Sequence, residues 1–200
     1  HIRSLAGEMG LSKLHAMTGQ LPDPIHSIGK LKWWSEHEPQ VIEETKLFGG
    51  YPELLHLRMG LPPMVDHGLA SRTMLFDIGR KTWAGVLTTY AGIDQDRLPA
   101  IGQSGQVVGK IPADNAESLG FSNQPLVVLG GHDQVMAAVG GGLGPGRPVY
   151  SIGTTECIVF QSEEQFQDDA LLLPSYPYAD GKHFVTLNGS QAGGRIVDWL

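Results

Sequence analysis

The sequence contains a single cysteine, Cys157, so no disulfide can close within the chain. It has no run of about 18 apolar residues and no signal-peptide pattern, which argues against a membrane span or export and points to the cytoplasm. Positive charge is in deficit: 14 Lys and Arg against 21 Asp and Glu give a formal net charge of -7. The cations are scattered, so nucleic acid and anionic membranes are poor partners and a small molecule is a better one. There is no G-x-x-x-x-G-K-[ST] loop, which removes one common phosphate-binding architecture, and no internal repeat or low-complexity tract. An initiating methionine is also missing. The chain starts at His1 and stops at Leu200 inside a helical pattern, so it reads as a segment cut at both ends. What is present is ordinary for a globular protein of one or two domains: 41% hydrophobic and 18% charged residues over 200 positions.

Leu5, Met9, Leu14 and Met17 recur at helical intervals and predict a helix over 2–17, ended by Thr18-Gly19 and the prolines that follow. A second helix is expected over 27–37, with Pro39 as its stop and Trp33 and Trp34 packed in the core or between domains. Short helices and turns fill 41–64, where glycines and prolines interrupt the apolar pieces. Asp66 is placed to cap the helix after it. Trp83, Val86, Leu87 and Tyr90 predict a helix within 77–90. Strands are expected at 106–111, 126–129, 149–152, 157–160 and 183–187, with a helical turn or two over 113–119 between the first pair. Asn188-Gly189-Ser190 should turn the chain, and a helix should begin at Gly193. Cys157, among apolar neighbours, reads as a small buried side chain.

The stretch 124–160, QPLVVLGGHDQVMAAVGGGLGPGRPVYSIGTTECIVF, carries the chemistry. An apolar run typical of a buried strand of a parallel sheet ends in Gly130-Gly131 and presents His132, Asp133 and Gln134 at its carboxyl end, where such sheets bind ligands. Val135, Met136 and Val139 then mark a helix, with Asp133 at its N-cap position. Beyond the glycine-rich passage 140–146, Gly153-Thr154-Thr155 interrupts a β-rich segment. Glycine permits close backbone approach to an anion, and successive N–H groups with threonine hydroxyls supply donors, which suits a phosphate-binding turn.

Together Gly131-His132-Asp133-Gln134, the glycine hinge and Gly153-Thr154-Thr155 resemble the FGGY family of carbohydrate kinases. The resemblance extends in the family's order through Lys30-Leu31-Lys32-Trp33-Trp34 with Pro39, the stretch 66–78 (DHGLASRTMLFDI), Trp83, Leu98-Pro99 and Gly193-Gly194 to Trp199-Leu200. It implies an α/β fold, the ribonuclease H-like, two-domain kinase architecture of the actin-like ATPase superfamily. Residues 1–145 would be the C-terminal part of the sugar-binding domain I, and 146–200 the N-terminal part of the nucleotide-binding domain II. It further implies transfer of the γ-phosphate of ATP, with Mg²⁺, to a hydroxyl of a sugar or polyol. Asp133 would be the general base, and Asp133, Gln134 and His132 would bind substrate. Gly153, Thr154, Thr155 and Gly194 would hold the nucleotide, and none of these residues is assigned to a metal. Gly194 reads equally well as a glycine for close helix packing. In such a kinase the first Asp-x-Gly-Thr strand pair and the rest of the nucleotide domain would lie outside these residues, so the chain alone is expected to be inactive. Open sheet edges would leave room for a homo-oligomer.

Two other readings compete. His132-Asp133 suggests a metal hydrolase, but no second His-Asp pair or His-x-x-x-His accompanies it. A non-catalytic actin-like nucleotide-binding protein shares the fold, yet has no need of a carboxylate followed by an amide at a strand tip. The identity of the sugar is not legible.

Overall fold

The structure, a computed structural model, describes residues 1–168, 170–190, 192–194, 196 and 199. The apolar spacing at the start of the chain does make helix, but Gly10 divides it into α1 (Ile2–Met9) and α2 (Leu11–Thr18). With φ at 82°, Gly10 occupies a left-handed conformation that L side chains resist. α3 (Ser27–His37) covers the expected residues, and Pro39 opens α4 (Pro39–Glu44), where its missing N–H leaves no hydrogen bond unmade. Trp33 and Trp34 are not core residues. Each is 42% exposed, and they meet edge to face.

α5 (Tyr51–Arg58), β1 (Met64–Asp66) and α6 (His67–Arg72) follow. The helix expected within 77–90 is shorter than its spacing suggests, because β2 (Phe76–Asp77) and β3 (Thr82–Trp83) pair as a small hairpin before α7 (Gly85–Ala91). Met74 and Lys81 take positive φ, which breaks any helical path there. A 3-10 turn at Gln95–Arg97 leads to β4 (Ala100–Gly102), β5 (Val107–Lys110), α8 (Ala113–Ser118), β6 (Leu126–Val128) and α9 (Asp133–Gly140).

β1 and β4 form the only parallel pair among the described strands, and β6 pairs antiparallel with β5. The strand at 126–129 is therefore not the buried parallel strand expected of it. Leu126 is 62% exposed, while Val127 packs against the cluster of Leu61, Ile111 and Ala116. The two-residue period of a strand sends 126 and 128 to one face and 127 to the other, and only the second face is covered by described residues.

Past the glycine-rich passage, β7 (Val149–Ile152), β8 (Glu156–Ser162), β9 (Ser175–Pro177) and β10 (Phe184–Ser190) make one antiparallel sheet in the order β7-β8-β10-β9. Asn188, Gly189 and Ser190 do not turn the chain but extend β10 opposite Ile158, Cys157 and Glu156. The helix expected from Gly193 falls partly on 195, 197, 198 and 200, outside the described residues. No helix among the described residues is long and apolar enough to cross a membrane.

Two cores matter for the site. Ile2, Leu5, Leu14, Ile28, Leu75 and Leu87 join the first helices to α7. Val135 and Ala138 of α9 pack with Val159, Val185 and Leu187 of the antiparallel sheet, and Tyr176 belongs to the same cluster. β9 then ties this sheet to the first helices: Ser175 N donates to Gly19 O at 2.7 Å, Gln20 Nε2 donates to Ser175 O at 3.0 Å, and His15 Nε2 lies 2.8 Å from Leu173 O.

Gly10 and Gly19 separate two kinds of glycine requirement. A Cβ at Gly10 would meet nothing within 4 Å, so Gly10→Ala should cost only the strain of its positive φ with ψ at 133°, on the order of 1–3 kcal/mol. At Gly19, also left-handed, a Cβ would sit 2.2 Å from the Ser175 carbonyl oxygen. Gly19→Ala should therefore cost roughly 3 kcal/mol or more, because β9 must shift as well. Denaturant unfolding compares them, and equal losses would show that the β9 contact contributes nothing.

Candidate active site

Residues 132–134 come together at the start of α9, but not in the capping arrangement the sequence suggests. His132 occupies the N-cap position without a side-chain cap, and Asp133 is the first helical residue. Gly130 and Gly131 link β6 to α9, with Gly131 close under the Met136 side chain, and burial of Val135 and Ala138 fixes which way the first turn points. The side chain of Asp133 is 89% exposed, and its Oδ1 accepts from Gln134 N at 2.7 Å. A carboxylate there also lies at the positive end of the helix dipole.

Each flanking side chain holds one buried polar atom with no partner among the described residues. His132 Nδ1 and Gln134 Oε1 are both buried and unpaired, which is costly unless something else satisfies them. His132 Nδ1 lies 3.5 Å from Asp133 Oδ1, beyond a good hydrogen bond. Burial holds the His132 imidazole below its ordinary pKa; the Asp133 carboxylate opposes this and Arg72 adds to it. Its ring lies nearly flat against Tyr176, 5.2 Å between centroids.

The phosphate-turn residues converge separately, between β7 and β8. Gly153 N donates to Thr155 O at 2.8 Å, and Gly194 N donates to Gly153 O at 2.7 Å. Gly193 and Gly194 sit so close that a Cβ would lie 2.6 Å from the Thr155 carbonyl carbon and 2.9 Å from Gly153 O, respectively. Gly194 is thus a close-packing glycine, with its own N–H already engaged. Thr154 and Thr155 are exposed and donor-rich, which fits a phosphate group. α9 and the β7–β8 hairpin are connected through their shared core.

Asp66 caps α6 as expected, accepting from Gly68 N at 2.8 Å and Leu69 N at 3.1 Å. Its position has a second consequence that the sequence does not reveal. A Cβ on Gly68 would lie 3.4 Å from His132 N, so the first turn of α6 presses on the start of α9. Asp66 is only 2% exposed, and burial raises its pKa to about 6 against the pull of the Leu69 and Gly68 N–H groups. Neither Arg72, which lies in the 66–78 stretch without a role of its own, nor Tyr176, which lies in no motif, is a candidate in the sequence reading, since their neighbours are distant along the chain. A cavity of about 600 Å³ is lined by Trp34, Phe48, Glu53, Arg72 and Trp83 among others, and by none of residues 132–134.

The fold is mixed α/β of the ribonuclease H-like, actin-like ATPase class: the chain superposes over its full length on 41% of Plasmodium falciparum glycerol kinase with ADP, at a TM-score of 0.86 and 17% identity. Residues 1–140 match the N-terminal domain of the FGGY family of carbohydrate kinases, and the chain belongs to that family. It is 29% identical to a xylulose kinase of Streptomyces rubiginosus over 98% of its own length and 41% of that protein's. It is 25% identical to an L-fuculokinase of Haemophilus influenzae over 81% of its length and 34% of that protein's. The chain therefore spans well under half of each of these relatives.

The raised pKa of Asp66 gives a prediction with a definite sign. Stability associated with this carboxyl is fully present below its unfolded pKa near 3.8 and is lost as pH rises to about 6. Asp66→Asn keeps an oxygen for the Gly68 and Leu69 N–H groups but cannot ionise. The variant should gain on the wild type between pH 4 and 7 by on the order of 1–3 kcal/mol. Unfolding free energies across that range check it, and a variant that loses ground with rising pH contradicts it.

Proposed function

We propose that the protein carrying this chain is an ATP-dependent sugar or polyol kinase in which Asp133 is the general base. Family membership supports the reaction class, and one observation supports the residue. An exposed carboxylate stands at the start of α9 between two buried polar atoms, His132 Nδ1 and Gln134 Oε1, that have no partner among the described residues. An acceptor with several hydroxyls would satisfy all three. Asp133 would take the proton of the attacking hydroxyl, while Gln134 Oε1 accepts from a second hydroxyl and His132 orients a third. Neutral His132 suits this role, because an imidazole below its ordinary pKa can accept as well as donate.

ATP, with Mg²⁺, would supply the γ-phosphoryl group and the charge neutralisation its transfer requires. The residues that fit the phosphates are the Thr154 and Thr155 hydroxyls and backbone N–H groups. Gly193 and Gly194 act by letting the following segment pack closely on the turn, and the Gly153 backbone accepts from Gly194 N there. Residues 1–145 are read as the sugar-binding part and 146–200 as the start of the nucleotide-binding part, a division close to the end of the family match at residue 140. Relatives named for xylulose and fuculose do not decide between acceptors. Phosphoryl transfer depends on complete preorganisation, and this chain spans 41% of its xylulose kinase relative. Alone, it should release no ADP in response to any sugar.

In the intact protein, Asp133→Asn should preserve the fold and nucleotide affinity while lowering kcat by roughly 100-fold or more. Steady-state ADP release against a panel of ketoses and polyols measures this, and turnover at the wild-type rate contradicts the assignment. Replacing Thr154 and Thr155 together by valine should weaken ATP binding by roughly 10-fold and leave sugar affinity nearly unchanged. Equal losses for both ligands would mean that the threonines support the fold.

A further inference from the structure

Tyr176 is the bulkiest fully buried side chain among the described residues, at 1% exposure. It sits on β9, beyond the glycine-rich passage, yet its ring covers a residue that precedes that passage. The Tyr176 and His132 rings lie 5.2 Å apart and 23° from parallel. Behind the stack, Arg72 Nη1 donates to the Tyr176 hydroxyl at 3.4 Å, a long bond that nevertheless gives the buried phenol a polar partner. Gln20 lies within reach of the same hydroxyl, and it also holds Ser175 O through its Nε2 at 3.0 Å. The residue before the aromatic ring is thus fastened, and the ring has little freedom to move.

α6 completes the enclosure. Its last residue, Arg72, touches Tyr176, and its first turn meets His132 at Gly68. Three elements, α6, α9 and β9, therefore close around one imidazole. The ring atom they leave without a partner among the described residues is Nδ1, 3.5 Å from the Asp133 carboxylate. Packing alone does not require a flat surface here. Holding the plane of a ring that must present one nitrogen beside a carboxylate does.

We propose that Tyr176 is a positioning residue for the acceptor site: its face fixes the plane of His132 beside Asp133, so that the half bearing the phosphate turn sets the geometry of the sugar-binding atoms. This rests on the reading of His132 and Asp133 as acceptor ligands. Tyr176→Phe keeps the flat face and loses the hydroxyl, whereas Tyr176→Leu keeps apolar volume and loses the face. In the intact protein, Phe should hold the sugar KM within about 2-fold of the wild type. Leu should raise it roughly 10-fold, a plausible loss for an aromatic pair with its dependent contacts, while kcat and the ATP KM stay within about 3-fold. The His132 ring-proton resonances, shifted by the Tyr176 ring current in the wild type and in Phe, should return toward ordinary positions in Leu. Parallel loss of both KM values and of kcat in Leu would indicate simple packing and overturn the proposal. So would an unchanged sugar KM once the ring-current shift is gone. If the wild type shows no sugar-dependent ADP release, the kinase reading fails instead; the ring-current comparison still decides whether Tyr176 holds His132.

Discussion

The anchoring of α9 on the antiparallel sheet is the constraint from which the rest of the site follows. Val135 and Ala138 are almost fully buried against Val159, Val185 and Leu187, and a buried valine contributes about 1.5–3 kcal/mol over an exposed one. With a period of 3.6 residues, fixing positions 135 and 138 leaves little choice for 132–134. Asp133 must face out, and His132 and Gln134 must lie partly under neighbouring chain. The apolar side of the helix thus determines where its carboxylate stands.

A second dependence runs through β9, a three-residue strand. It binds the first helices through Gly19 and Gln20 and covers His132 with Tyr176. The close approach of Ser175 O to Gly19 leaves no room for a side chain, so a glycine in the loop after α2 is a condition for the stacking more than 100 residues later in the chain. α6 contributes from the other side with a buried carboxyl at its cap. Holding Asp66 out of water is unfavourable for its charged form, and its hydrogen bonds keep the first turn of α6 formed where it meets His132.

Much of this was legible because some signals are local. The helix at 27–37, the hairpin around Gly153-Thr154-Thr155 and the cap at Asp66 each depend on residues a few positions apart, and the motifs identified the correct family. Where spacing misled, a tertiary contact or an unusual backbone overrode it. Trp83 falls in helical register with Leu87, yet it pairs with Phe76 and donates from Nε1 to Pro99 O. Asp133 has the composition of an N-cap, but the chain enters its helix one residue earlier. The apolar run at 126–128 reads as buried, although the described residues cover only one of its faces. Tyr176 lies in no motif, and nothing in the 66–78 stretch marks Arg72, because their role exists only once residues 104 positions apart have met.

The central claim is that the start of α9 receives the acceptor hydroxyl and the turn at Gly153 receives the phosphates. A structure of the intact protein with a non-hydrolysable ATP analogue and an accepted sugar tests it most directly. The account predicts a sugar hydroxyl within about 2.6–3.2 Å of an Asp133 carboxylate oxygen, with His132 Nδ1 and Gln134 Oε1 paired to the same ligand and phosphate oxygens at Thr154 and Thr155. A sugar seated instead in the cavity beside Trp34 and Trp83, with Asp133 facing solvent, would contradict it.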